Sequence, residues 1–368
     1  MTNKEACITL NLISGIGPVR VRRLLEKFKT APAILAAGAA ELRHVEGIGT
    51  ETARLIADWE NQIDLARELR RIDEMELTVL TWDDETYPPL LKQIYTPPLV
   101  LYVLGEVTER DRHGIAIVGS RRATHYGLSA ARKIGYGLAH AGLTVVSGLA
   151  RGIDTAAHEA AVAANGRTIA VTGCGLGTVY PPENAGLVKK IVEGGNGAIV
   201  SEFPVDFPPE KRSFPMRNRI VAGWCHGICV IEAPGRSGSL ITANQAIEMG
   251  RSVYAVPGQI DRPTSHGSNR LIQQGAKLVM DGSDILDDLD TLFPTQPQMP
   301  ALEEVPSEFN LSDEEKAVLA AVGDAESSVD EIVERSKLPV STVSSTLLLL
   351  QMKRSVKQLP GNYYVRLI

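Results

Sequence analysis

Three short segments in the middle of this sequence bring glycine, serine and arginine together. They read Val118-Gly119-Ser120-Arg121-Arg122, Ser147-Gly148-Leu149-Ala150-Arg151-Gly152-Ile153-Asp154 and Pro234-Gly235-Arg236-Ser237-Gly238-Ser239. Each follows an apolar run, at 115–118, 143–146 and 228–231, of the kind that forms a buried parallel strand, and each precedes a helical pattern. A helix N-terminus offers unpaired N–H groups and partial positive charge, and a glycine there lets a phosphate come close to the backbone. Arginine adds a fork of charged donors that matches phosphate oxygens. One such turn is weak evidence of binding, since glycine joins strands to helices in many folds. Three at one end of one sheet describe a site for a ligand with several phosphates.

A fourth stretch adds an aromatic ring. In the segment 208–220, Lys211, Arg212, Arg217 and Arg219 flank Phe214, with Asn218 among them and Glu210 the one acid. Cations beside a flat ring suit a single strand of nucleic acid, with charge for the backbone and a face for a base. The competing reading is a charged loop with Phe214 in the core and a solvated helix face. The three neighbouring turns favour binding.

Other candidate chemistry is weaker. Asp154 and His158 stand at i and i+4 on one helix face, the spacing of an acid–base pair. No nucleophile or second carboxylate lies nearby in sequence, so a cap for Asp154 and a structural hydrogen bond for His158 are the favoured roles. Cys225-His-Gly-Ile-Cys229 supplies three soft ligands at most, inside a run that reads as strand core, and no metal is expected. The phosphate-loop pattern ending in Gly-Lys-Ser/Thr is absent, as is the G-x-G-x-x-G dinucleotide fingerprint, so neither ATP hydrolysis nor a cofactor is expected.

The elements that must hold these residues alternate between strand and helix from about 78 to 288. Apolar runs at 99–104, 115–118, 143–146, 168–171, 198–200, 228–231 and 252–256 predict an α/β fold with a mostly parallel sheet covered on both faces. Ligands of such sheets sit beyond the carboxyl ends of the strands, where all three glycine turns fall. With 368 residues the chain has room for two or three domains. Its 44% apolar and 22% charged residues are those of a globular protein. The start of the chain lacks the pattern of a secretory signal, and no apolar run approaches the roughly 20 residues of a membrane helix. Cys7, Cys174, Cys225 and Cys229 show no disulfide spacing, which suits a reducing cytoplasm. A net charge of −6 excludes a uniformly basic binder but not a local basic patch.

Boundaries follow from composition. From 281 to 315 there are eleven acidic residues and no Lys or Arg, with several prolines, which predicts a solvated connector over 291–308. It separates a central domain at 73–290 from a C-terminal module at 309–368. At the other end, Ser14-Gly-Ile-Gly-Pro18 and Glu46-Gly-Ile-Gly-Thr50 echo one another within a short helical domain at 1–72. These hairpins could present N–H groups to a phosphate, with Arg20, Arg22, Arg23 and Lys27 nearby, or act as packing turns alone.

Read together, Ile117-Val-Gly-Ser-Arg-Arg122, the run from Val146 to His158, Tyr180-Pro-Pro-Glu-Asn184, Phe214-Pro-Met-Arg-Asn-Arg219, Ser237-Gly-Ser-Leu-Ile-Thr-Ala243 and Gly267-Ser-Asn-Arg-Leu-Ile272 closely resemble the DNA processing protein A family (DprA, also called Smf). The resemblance covers the whole central domain in family order. It implies an extended Rossmann-like domain that pairs into a homodimer, binds single-stranded DNA and loads the RecA recombinase during natural transformation, without enzymatic activity. The family's DNA pocket implies Arg121, Phe214, Arg217 and Arg219 as contacts, with Lys211 and Arg212 both open as the key basic position. The N-terminal segment is similar to a helix-hairpin-helix (SAM-like) domain. The C-terminal one is similar to a winged helix, though its second helix is poor in Arg and Lys apart from Lys353 and Arg354. Phosphoribohydrolases of a related fold carry a Pro-Gly-Gly-x-Gly-Thr-x-x-Glu loop. Here Thr242 stands at the carboxylate position and Arg236 replaces the second glycine, both of which favour binding over turnover.

Overall fold

The computed structural model describes residues 1–235, 237–292, 312–322, 327–352, 355–359 and 363–366. Of the connector expected over 291–308, the first two residues close a helix that runs to Leu292, and 293–308 lie outside the described residues, as do Arg236, Lys353 and Arg354. Residue contacts divide the chain into two compact units, Met1–Pro294 and Thr295–Ile368.

Seven helices open the first unit: α1 (Asn3–Leu12), α2 (Pro18–Phe28), α3 (Ala31–Ala36), α4 (Ala39–Leu42), α5 (Thr50–Ala57), α6 (Trp59–Gln62) and α7 (Leu65–Glu74). The two Gly-Ile-Gly echoes have the same local form. Gly15 and Gly47 take left-handed φ values of 79° and 82°, and Gly17 and Gly49 are the N-caps of α2 and α5. These helices share a core with the sheet rather than standing apart. Asn11 donates to the Glu202 carbonyl at 2.9 Å, and Glu68 accepts from the Val205 N–H at 2.9 Å.

The sheet has nine strands: β1 (Thr78–Thr81), β2 (Val100–Gly105), β3 (Gly114–Val118), β4 (Thr144–Ser147), β5 (Thr168–Val171), β6 (Gly197–Ser201), β7 (Gly227–Val230), β8 (Ser252–Ala255) and β9 (Lys277–Leu278). Their order is β1-β2-β6-β5-β4-β3-β7-β8-β9. Only β1 with β2 and β2 with β6 pair antiparallel. The helices between them are α8 (Pro89–Lys92), α9 (His125–His140), α10 (Ile153–Ala163), α11 (Ala185–Glu193), α12 (Ser213–Trp224), α13 (Gly238–Glu248), α14 (His266–Gln273) and α15 (Ser283–Leu292).

Alternation along β3 explains the layers. Ile115 and Ile117 pack with α9 and α10 on one face, and Ala116 and Val118 pack with α12 and α13 on the other. Burial on both faces is why these strands read as continuous apolar runs. From β3 the chain first builds outward through β4, β5 and β6, then returns to lay β7, β8 and β9 on the other side. That reversal makes a crevice beyond the ends of β3 and β7.

The second unit contains α16 (Asp313–Val322), α17 (Val329–Ser336) and α18 (Val340–Met352) with a small antiparallel sheet. Its strands are β10 (Ser327–Ser328), β11 (Val356–Leu359) and β12 (Tyr363–Arg366), ordered β10-β12-β11. Val318, Ile332, Val343, Leu347 and Val356 form its own core. Among the described residues no helix is long and apolar enough to cross a membrane.

Candidate nucleic-acid interface

The three glycine turns follow β3, β4 and β7, and the start of α12 closes the space between them. Together they line a cleft of about 580 Å³ whose walls include Ser120, Arg121, Lys211, Phe214, Asn218, Ser237, Gly238 and Ser239. Phe214 stands on the first turn of α12. The Arg121 guanidinium lies over its ring, 5.6 Å from the centroid, and Tyr180 packs beside it at 5.4 Å with a 40° tilt. Arg121 is exposed, and among the described residues no carboxylate pairs with it. Among the described residues its charge therefore faces the cleft over an aromatic ring. Sequence reasoning passed over Tyr180 as a site residue, although an aromatic side chain opening the Tyr-Pro-Pro-Glu-Asn segment was the available signal.

The glycines divide into two kinds. A Cβ on Gly119 would stand 2.6 Å from Ile153 and 3.0 Å from the Glu232 carbonyl, and one on Gly148 would collide with the Arg217 guanidinium. Gly152 has φ +80°, and a Cβ there would strike the Ser120 carbonyl. At these three positions the backbone packs too closely for a side chain, and Gly119 and Gly148 still line the cleft. Gly235 and Gly238 differ, since a Cβ on either would meet nothing within 4 Å. There the backbone is open at the start of α13. Ser237 caps that helix by accepting from the Leu240 N–H at 3.4 Å, and its hydroxyl is 2.8 Å from that of Ser239. Asn218 reaches the Gly238 carbonyl at 3.4 Å.

Several expected contacts are engaged elsewhere. Ser147 is fully buried and donates its hydroxyl to the Ile117 carbonyl at 2.6 Å, so it ties β4 to β3 instead of meeting a ligand. Arg217 is only 3% exposed and donates to the Val171 carbonyl. It forms the floor of the cleft, where burial lowers its pKa to about 10 against the opposing pull of Asp154. Arg219 does not face this cleft at all. Two residues along α12 is about 200° around the helix axis, and Arg219 there pairs with the partly buried Glu202 at 2.5 Å. Arg122 is exposed and outside the cleft lining, its N–H bonded to the Ser120 hydroxyl at 3.1 Å. Arg151 borders an adjoining recess and is paired with Glu183 at 2.6 Å. Of the two open candidates, Lys211 lines the cleft, whereas Arg212 points outward beside Glu210 at 3.6 Å.

The acid–base geometry is also absent from the pair considered for it. The Asp154 carboxylate accepts from the Gly148 and Ala150 N–H groups at 3.1 and 3.3 Å, bracing the turn before its own helix. The cap of α10 is Gly152, so Asp154 acts on the turn and not as the helix cap. Burial raises its pKa despite Arg217 and these donors. His158 Nδ1 lies 2.7 Å from the Thr168 hydroxyl, and burial, with Arg217 nearby, holds the imidazole down to about 3. Thr242 is buried and donates back to the Gly238 carbonyl at 3.1 Å. Cys225 and Cys229 belong to the cores on opposite sheet faces and do not converge.

The class this architecture defines is a modular Rossmann-like protein with its ligand cleft at the topological switch point, flanked in sequence by tandem helical hairpins and a winged helix. Residues 78–290 match the family described as DNA recombination-mediator protein A. Residues 302–362 match the DprA winged helix domain, and residues 8–58 match a SAM-like helix-hairpin-helix tandem. The chain belongs to the DNA processing protein A (DprA/Smf) family. It is 36% identical to Protein Smf of Synechocystis sp. over 400 residues, covering 100% of both chains. The X-ray structure of DprA from Streptococcus pneumoniae superposes with a TM-score of 0.68 at 36% identity, covering 78% of this chain and 98% of that one. DNA processing protein A from Helicobacter pylori, described for its single-stranded DNA binding mode, superposes at 0.53 with 30% identity, covering 59% and 97%.

Proposed function

We propose that this protein binds single-stranded DNA in the cleft at the ends of β3, β4 and β7, as a cytoplasmic homodimer that loads RecA onto the strand during natural transformation. The observation that carries the reading is Arg121, exposed and unpaired by any described carboxylate, held over Phe214 beside Lys211. Arg121 and Lys211 neutralise backbone phosphates, the open glycines before and at the start of α13 accept another, and the Phe214–Tyr180 pair stacks a base. None of these groups reads a base edge, so sequence preference is weak. The likeness to the Helicobacter pylori protein supports the choice of single-stranded DNA. RecA loading, pairing and the transformation pathway rest on membership of the family.

The function is binding without turnover. Asp154, His158 and Thr242 each hold a structural hydrogen bond, and incubation with nucleoside monophosphates is expected to release no free base.

The direct test is one salt series comparing a single strand with a blunt duplex of the same sequence. The single strand binds tighter, and its log affinity falls with log salt by about 0.7 per neutralised phosphate. Equal or tighter duplex binding sinks the reading. A rate of RecA filament formation unchanged by the protein removes the loading role alone.

A further inference from the structure

The segment Gly267-Ser-Asn-Arg-Leu-Ile272 has no part in the cleft, yet nearly every polar group in it is occupied. The Gly267 N–H donates to the Ala233 carbonyl at 2.7 Å, and a Cβ there would stand 2.6 Å from that oxygen. Ser268 donates to the Ser265 carbonyl at 3.2 Å. Asn269 grips Gly258 from both sides, accepting at 3.0 Å and donating at 2.8 Å. These bonds lock the start of α14 against the turns after β7 and β8. Arg270 is the exception: its side chain is exposed, and among the described residues it has no ion-pair partner.

Arg270 borders a groove of about 620 Å³ between α13 and α14. Leu240 and Leu271 lie along it with Ile241, which is 45% exposed, and Asn244 and Gln274 supply amides. The lining contains no Asp or Glu, in a chain of net charge −6. Ser237 and Gly238 line both this groove and the cleft, so the two meet across one turn.

We infer that the groove is a second subsite for the same single strand, in which Arg270 takes a backbone phosphate and Ile241 supports a sugar or base. The inference rests on the single-strand reading above and extends its path from the cleft over the Gly235–Gly238 turn. A cation without carboxylate neighbours beside an exposed apolar side chain meets both needs of a nucleotide unit.

Oligothymidylates of increasing length test it. With the wild-type protein, affinity rises in a further step once the strand is long enough to cross the turn. Arg270→Ala leaves affinity for short strands unchanged, lowers it about tenfold for long ones, and reduces the salt slope by about 0.7. Ile241→Glu, which brings a carboxylate to the floor, abolishes the same step. Arg121→Ala, by contrast, weakens short and long strands alike. No binding by the wild-type protein would defeat the single-strand reading itself. Wild-type binding with an unchanged length dependence in both variants overturns only the second subsite. A dimer lost on sedimentation while length dependence persists assigns the groove to a second copy of the chain, and likewise overturns it.

Discussion

Arg121 on the turn after β3 and Arg217 on α12 line one cleft and come from equally promising motifs, but the protein uses them differently. Arg121 is exposed and rests on the Phe214 ring. Arg217 is buried under the cleft, bonded to the Val171 carbonyl and pressed against Gly148. Two residues further along, Arg219 is turned to the far side of α12 and held by Glu202. An arginine on a turn remains available to a ligand because nothing packs over it. One on a helix between sheet and solvent is sorted by its angular position, inward to a structural role or outward to binding.

Removing the buried member separates the two most strongly. Arg217→Met should destabilise the fold by about 1–3 kcal/mol, because it leaves the buried Val171 carbonyl without this donor and takes away the positive charge near Asp154. Denaturant unfolding measures the loss. An unchanged midpoint with weakened DNA binding would place Arg217 with Arg121 and erase the distinction. The next effect is smaller and falls on binding. Arg121→Ala should cost about 1–3 kcal/mol of single-strand affinity, the range of charge-assisted hydrogen bonds, with melting temperature unchanged. A matching fall in melting temperature would show that Arg121 anchors its turn. The smallest effect belongs to Arg212, which is solvated beside Glu210. Arg212→Ala should change affinity and stability by less than about 0.5 kcal/mol, while Lys211→Ala weakens binding measurably in the same anisotropy titration. Equal losses from both would mean that Arg212 swings into the cleft when DNA is present.

Much of the architecture was legible because it is encoded locally. Strands β3, β4 and β7 were expected at 115–118, 143–146 and 228–231 and occur within a residue of those bounds. Their continuous apolar runs follow from burial on both faces, and the glycine turns after them mark their carboxyl ends. The second unit, expected to be a winged helix by resemblance, holds α16 to α18 and the antiparallel strands β10 to β12. The site was legible in part. Arg121, Lys211 and Phe214 do line one cleft, a grouping that the family resemblance implies and spacing alone does not give.

The remainder depended on distance in space. No local signal separates Gly148, which makes room for Arg217, from Gly238, which faces open space, because the atoms that decide lie 69 residues away in one case and are missing in the other. Arg217 and Arg219 look alike until Val171 and Glu202 are brought to opposite sides of α12. The N-terminal helices read as a separate domain until Glu68 and Asn11 bond to the loop after β6. By itself the sequence determined the alternation of elements and the end of the sheet where the glycine turns gather, since these follow from periodicity and turn residues. Only the tertiary structure decided which charges remain free, because burial and pairing are set by neighbours remote in the chain.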